Sequence, residues 1–382
     1  MRKFLYILPL FISCISFPTS YDRIEPDKVR LLDFVYEPAE AAPGDTVSVK
    51  AIFSGRKIMP TDLTWKISYT VVTNLYGVNT ALDTHLLEQN AQLCSFSDST
   101  TCISFDMVIP DDILQKNPTI PENWQSELPD EFVNSIPEPF RSMNKKTILD
   151  SIHSLANLVN ETDENLLQLI TGNDNTLSTV LPHLLQALSV QIRLYAQIKG
   201  AHTIQSNYIV RYNNRFSKLS QTGIYSNINP VIDSIGVYKV KGKNLFSYNP
   251  EKNKHNFFRL YETHETVDDA PAIPIEKGYS YFLAAFTSQK DKEMTIEGNI
   301  MEEQHWTQWY YQLDATETEG VSVDDYMDIG GMGDSVSQLI VPADKRIKSF
   351  VLWLKVTDRL LNVINRPQGS TVKEFKGRFE YR

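Results

Sequence analysis

The sequence predicts a mainly β chain: two antiparallel β-sandwiches in tandem, the first carrying a helical insertion between its last strands. Three observations lead there. The 382 residues exceed one ordinary domain of about 100–200 residues, so two cores are expected. Short alternating runs rich in Val, Ile, Tyr and Phe recur between turn residues, the pattern of half-buried strands. The order of those runs then occurs twice.

The first copy opens with Val29–Tyr36, turns at Ala42-Pro43-Gly44-Asp45 and continues as Thr46–Phe53. The second opens with Val231–Val240, turns at Glu276-Lys277-Gly278 and continues as Tyr279–Phe286. A tryptophan strand follows in each, Leu63–Tyr69 with Trp65 and Trp306–Leu313 with Trp309. Next come Ile103–Pro110 and Val336–Pro342, each running into a proline. The closing pairs are Val190–Ala196 with Tyr208–Tyr212, and Phe350–Val356 with Phe375–Tyr381. Trp309, Tyr311 and Leu313 share one side of their strand and are expected in the core.

This repeated order resembles the immunoglobulin-like and PKD-like sandwich domains of bacterial envelope proteins. Pro43-Gly44-Asp45-Thr46-Val47 is similar to the first turn of that family, and Trp65 and Trp309 take the central-strand place where such sandwiches bury a tryptophan. The resemblance covers most of residues 29–216 and 228–382 and implies two Ig-like domains. The inter-sheet disulfide of antibody domains is absent from the pattern.

Between Pro110 and Val190 the first copy holds a long stretch whose counterpart, Pro342 to Phe350, is a short turn. The insertion, about 111–188, begins with a proline-rich surface strap. Ile148, Ile152, Leu155 and Val159 then predict an amphipathic helix near 144–160. Thr162 could cap a second helix ending at Gly172. Leu181, Leu184 and Leu188 fit either a helix continuing to Gly200 or a short helix before a strand from about 189, and the alternation from Val190 to Ile198 selects the second. A long insertion can carry function, or it can widen the core and cover an edge strand.

The N-terminus reads as a targeting segment. Met1-Arg2-Lys3 precedes an apolar run, Phe4–Ser13, too short to span a bilayer, which takes about 20 residues, and suited to a secretory signal. Phe11-Ile12-Ser13-Cys14 resembles the bacterial lipobox, with Phe11 departing from its usual aliphatic residue. The resemblance implies removal of residues 1–13, acylation of Cys14 with palmitate-type chains, and a tether over 14–28. The alternative is an ordinary signal cleaved near Ser16 or Ser20. In that oxidising setting Cys94 and Cys102 are expected to form a disulfide, contributing about 2.5 kcal/mol through loop closure.

Chemistry-bearing motifs are sparse. Seven histidines are scattered, and no His-Glu-x-x-His, Gly-x-Ser-x-Gly or phosphate loop occurs. Glu262-Thr-His264-Glu265 is followed by a solvated-loop signature. Asp324, Asp325, Asp328 and Asp334 could supply calcium with oxygens, or form an acidic loop without an ion. Trp306, Gln308 and Tyr310 could stack on a sugar ring, or simply pair across strands. No cofactor is implied. The formal charge of −10 and the lack of a basic tract argue against nucleic acid. The expectation is therefore a non-enzymatic envelope lipoprotein, held to a bacterial membrane by its anchor and acting as a binding, adhesion or scaffold module toward an envelope protein or polysaccharide. The alternatives are a secreted carbohydrate-binding or adhesive protein and, third, an enzyme acting on envelope polymers.

Overall fold

The computed structural model describes residues 23–382 except 74–78, 88–89, 117–121, 124, 126–132, 135–139, 162–180, 182–184, 186–187, 201–202, 218–223, 242–256, 261–269, 289–291, 295–299, 303, 314–327, 331–335, 342–344 and 360–368. The signal segment, Cys14, the expected second helix after Thr162 and the Glu262–Glu265 cluster lie outside the described residues.

The first sandwich is built from β1 (Val29–Glu37), β2 (Thr46–Gly55), β3 (Leu63–Ser68), a small hairpin of β4 (Val71–Thr73) and β5 (Asn79–Ala81), β6 (His85–Leu86), β7 (Gln92–Phe96), β8 (Thr100–Val108), β9 (Val190–Ile198) and β10 (Thr203–Val210). Its two sheets run β1-β2-β8-β7 and β10-β9-β3-β6. Along β2, Val47, Val49, Ala51 and Phe53 are fully buried while Thr46, Ser48, Lys50 and Ile52 between them are more exposed, the period of two that a strand imposes.

The second sandwich follows with β11 (Val231–Lys241), β12 (Phe257–Leu260), β13 (Ala272–Ile275), β14 (Tyr279–Ser288), a hairpin of β15 (Lys292–Met294) and β16 (Ile300–Glu302), β17 (Gln304–Leu313), β18 (Asp328–Gly330), β19 (Val336–Ile340), β20 (Ser349–Arg359) and β21 (Ser370–Tyr381). Its sheets run β12-β11-β14-β19-β18 and β13-β21-β20-β17.

The sequence repeat is a repeat of topology. The first, second and fourth repeated strands share one sheet, β1-β2-β8 and β11-β14-β19. The third, fifth and sixth share the other, β3-β9-β10 and β17-β20-β21. This is the strand distribution of an immunoglobulin-like sandwich, and Trp65 and Trp309 are both buried on its third repeated strand. Finer details repeat as well. The turn glycines Gly44 and Gly278 both adopt left-handed backbone, φ 83° and 86°, which glycine tolerates without a Cβ clash. Between the first two strands of each copy the chain crosses to the opposite sheet and pairs in parallel with the last strand: Ala41 with Val210, and β13 with β21.

Within the insertion lie α1 (Ile113–Lys116) and α2 (Lys145–Glu161), and α3 (Asn213–Phe216) follows β10. Asn144 Oδ1 accepts from the Thr147 amide at 2.9 Å, capping α2. Ile148, Leu149, Ile152, Ala156 and Val159 turn one face into the same apolar cluster as Val190, Ile192 and Leu194 of β9. The helix thus widens the core of the first sandwich. The strand at Val190 matches the alternation that selected it.

The two sandwiches pack against each other. Leu32 from the first meets Tyr310, Val351 and Trp353 from the second, with Ile24 between them and Ile52 and Val372 at the margin. Of the two readings of Tyr310, sugar stacking and cross-strand pairing, the structure shows the second: the ring is 5% exposed on a face of β17 covered by the first sandwich, and it stands opposite Trp353. The expected tether is corrected. The tether does not extend to residue 28: the Ile24 amide donates to the Tyr311 carbonyl at 2.7 Å, and its side chain is 2% exposed. An aliphatic side chain placed beside an open apolar face leaves water for it, at a gain of about 1.5–3 kcal/mol.

Candidate functional site

The junction between the sandwiches is polar as well as apolar. The turn after β7 reaches the second sandwich: Ser97 Oγ donates to Glu374 Oε2 at 2.8 Å, Thr100 Oγ1 donates to the same oxygen, and Trp353 Nε1 donates to Thr100 Oγ1 at 2.6 Å. Lys355 Nζ donates to Asp33 Oδ1 at 2.8 Å. Burial pushes the Asp33 carboxyl above its ordinary range, more than the Lys355 ammonium pulls it down. The connecting segment is fixed on both sides. Asn229 Nδ2 donates to the Tyr36 carbonyl at 2.7 Å, and Thr371 Oγ1 donates to the Pro230 carbonyl at 2.6 Å. Beside it, Arg211 and Glu40 form a buried ion pair, Nη2 to Oε2 at 3.0 Å, with the Asn227 amide donating to the same carboxylate at 3.0 Å. Charges buried this deeply persist because each is paired.

Cys94 and Cys102 are joined in a disulfide, with Cα atoms 5.3 Å apart. Such a bond belongs to oxidising surroundings, extracellular or in a cell envelope. Among the described residues no helix is long and apolar enough to cross a membrane. Trp306, Gln308 and Tyr310 do share one side of β17, as their spacing requires. Trp306 and Gln308 are half-buried, whereas Tyr310 lies under the Arg30 guanidinium, 4.6 Å from its ring centre. The three therefore do not form an open aromatic platform. Asp324, Asp325 and Asp334 lie outside the described residues, and Asp328 falls within β18. Trp309, Tyr311 and Leu313 fill the core.

A second polar cluster lies at the edge of the first sandwich, in a cleft of about 250 Å³ lined by Tyr69, Thr70, Asp83, His85, Pro110 and Asp112 among others. Asp83 Oδ1 accepts from the Thr70 amide at 3.0 Å and from Ser68 Oγ at 2.9 Å, while its Oδ2 lies 2.9 Å from His85 Nε2. Burial raises the Asp83 carboxyl, but these hydrogen bonds together outweigh it and hold the group below its ordinary value. The Tyr69 ring stands beside the imidazole, centroids 6.4 Å apart. Ser68 Oγ also lies 3.0 Å from the Thr70 carbonyl, so its one proton is shared between that carbonyl and the Asp83 carboxylate. The arrangement orients an imidazole for hydrogen bonding. Sequence reading did not single out this pair. The available signal was Asp83-Thr84-His85, whose period of two sets both side chains on one side of an extended chain.

No protein-family model matches the chain, and no curated protein sequence matches it. Solved structures with which it shares a weak likeness include the extracellular domain of protocadherin GammaB4, at 12% identity over 94% of this chain with a TM-score of 0.17. Mouse clustered PcdhgC3 EC1-3 is 10% identical over 96% of this chain, with a TM-score of 0.17. The three N-terminal domains of the bacteriophage RB49 highly immunogenic outer capsid protein are 8% identical over 93%, with a TM-score of 0.19. The chain spans 32%, 67% and 100% of those three chains, respectively. The immunoglobulin-like assignment rests on strand order and burial, not on these overlaps.

Proposed function

We propose that the protein is a lipid-anchored, non-enzymatic module of the cell envelope, serving binding, adhesion or scaffolding at a bacterial membrane surface. The observation that carries this reading is the lipobox-like Phe11-Ile12-Ser13-Cys14 after a short basic and apolar segment; the fixing of Ile24 in the seam between the sandwiches sets the reach of such an anchor. Ile24 stands ten residues after Cys14. An extended chain covers at most about 3.3–3.6 Å per residue, so an acylated Cys14 would hold the double sandwich within about 35 Å of the lipid surface. Several acyl chains on one cysteine give stable attachment, at about 0.8 kcal/mol per buried CH₂. A body joined through buried hydrogen bonds and an apolar seam then presents its outer faces to partners within that distance of the membrane. A secreted carbohydrate-binding protein is the second reading, and the burial of Tyr310 removes one of the two rings it relied on.

The test is expression of the full chain and of Cys14→Ser, with acyl labelling and membrane fractionation of both. The reading expects label and membrane association in the first and loss of both in the second. Acylation and membrane attachment of Cys14→Ser would overturn it. Cross-linking in the native envelope then identifies the partner, protein or polysaccharide.

A further inference from the structure

The Cys94–Cys102 disulfide lies directly behind the turn that grips the second sandwich. Strand β7 is a five-residue edge strand with β8 as its neighbour, and its pairing shifts register between Leu93 and Ser95, at Cys94 itself. The turn beyond it is organised by Ser97, whose Oγ accepts from the Ser99 and Thr100 amides at 3.1 and 2.9 Å and donates to Glu374 of β21 at 2.8 Å. The two sulfurs are unequally placed, since Cys94 is exposed and Cys102 is 6% exposed.

We propose that Cys94–Cys102 is a thiol–disulfide exchange site for a dithiol reductant, and that its reduction loosens the Ser97 turn from Glu374, so that redox state sets how firmly the sandwiches are joined. The exposed sulfur sets the direction of attack. One thiolate of the dithiol forms a bond to Cys94 Sγ. The cystine bond breaks with its electron pair on Cys102 Sγ, which takes up a proton. The second thiolate of the dithiol attacks the first dithiol sulfur in the mixed disulfide and expels the Cys94 thiolate, which is protonated in turn. Two electrons have then passed from the dithiol, which leaves as a disulfide, to the cystine, which becomes two thiols.

Once open, β7 keeps an edge pairing on one side that is interrupted where Cys94 sits. The turn loses its covalent loop constraint and is left with its own hydrogen bonds, among them the Ser97 amide to the Thr100 carbonyl at 2.9 Å, to aim Ser97 at Glu374. Thr100 belongs to β8, which is paired on its other side with β2, so its contact with Trp353 survives. Reduction therefore relaxes one of the two linked grips and leaves the other.

The experiment compares the folded chain with and without dithiothreitol, counting alkylated cysteines by mass and following amide hydrogen exchange across 95–101. The proposal expects two additional labelled thiols under native conditions and at least tenfold faster exchange in that turn. In Glu374→Ala, where the grip is already gone, exchange is raised before reduction and changes less on reduction. The proposal is overturned if dithiothreitol opens the bond only in urea, if exchange at 95–101 is unchanged after reduction, or if reduction has the same effect in Glu374→Ala as in the wild type. Because the test reduces the folded wild-type protein, it does not depend on a cysteine-free variant folding.

Discussion

Trp353 Nε1 donates a hydrogen bond to Thr100 Oγ1 at 2.6 Å, joining residues 253 positions apart across the seam between the two sandwiches. The indole is fully buried, so its N–H has given up water and must find its acceptor in the other domain. Trp353→Phe keeps most of the ring but removes the donor, and Thr100→Val removes the acceptor. Each is expected to cost about 1–3 kcal/mol by chemical denaturation. The double variant should cost less than the sum, because the two changes remove one shared interaction.

The Glu40–Arg211 pair is expected to respond asymmetrically. Removing one partner leaves the other charged and buried, so Glu40→Gln or Arg211→Met should each lose about 3–5 kcal/mol. Replacing both with apolar residues of similar volume should recover part of that loss. Urea unfolding of the three variants checks the order.

Acidification should act on Asp33 and Asp83 with opposite signs. Burial raises Asp33 above its reference value of 3.8, so the folded chain holds this proton more tightly than the unfolded chain. Its ionised form opposes folding above the raised pKa, and the penalty disappears as pH falls toward the unfolded value. The stability of the wild type relative to Asp33→Asn should therefore improve between neutral pH and about pH 4. Asp83 is held below 3.8. Its contribution is complete above the unfolded value and is lost as pH falls through the lower folded one. The wild type should lose ground to Asp83→Asn only below about pH 4. Denaturation midpoints across pH 3–7 read both differences.

The N-terminal segment can be released without touching either core. Ile24→Asp places a charge in the apolar seam beside Tyr310 and Trp353, where burying it unpaired is unfavourable. Limited proteolysis should then cut within 15–28, while the wild type resists cleavage at residues 24–28. Wild-type cleavage there at the same rate would contradict the pin.

Much of the fold is legible because the strand repeat is written twice. Gly44 and Gly278, and Trp65 and Trp309, mark equivalent places, and each copy alone would have been weak. The packing of one sandwich on the other was the part not read, although a trace of it stands in the sequence. Phe350-Val351-Leu352-Trp353-Leu354 is an unbroken apolar run, the pattern of a strand buried on both faces. Phe350, Leu352 and Leu354 fill the second core, while Val351 and Trp353 face the first sandwich. The sugar-stacking alternative for Tyr310 treated its strand as half-buried. The Asp83–His85 cleft escaped because Ser68 and Thr70 come from another strand and its flanking turn, contacts that no local spacing encodes.

Small-angle X-ray scattering of the chain lacking residues 1–14 reads whether the two sandwiches form one body. A single compact body of this length has a radius of gyration of about 21 Å, and a value near it is expected, with one maximum in the distance distribution. An elongated particle with two resolved maxima, unchanged by Trp353→Phe, would contradict it.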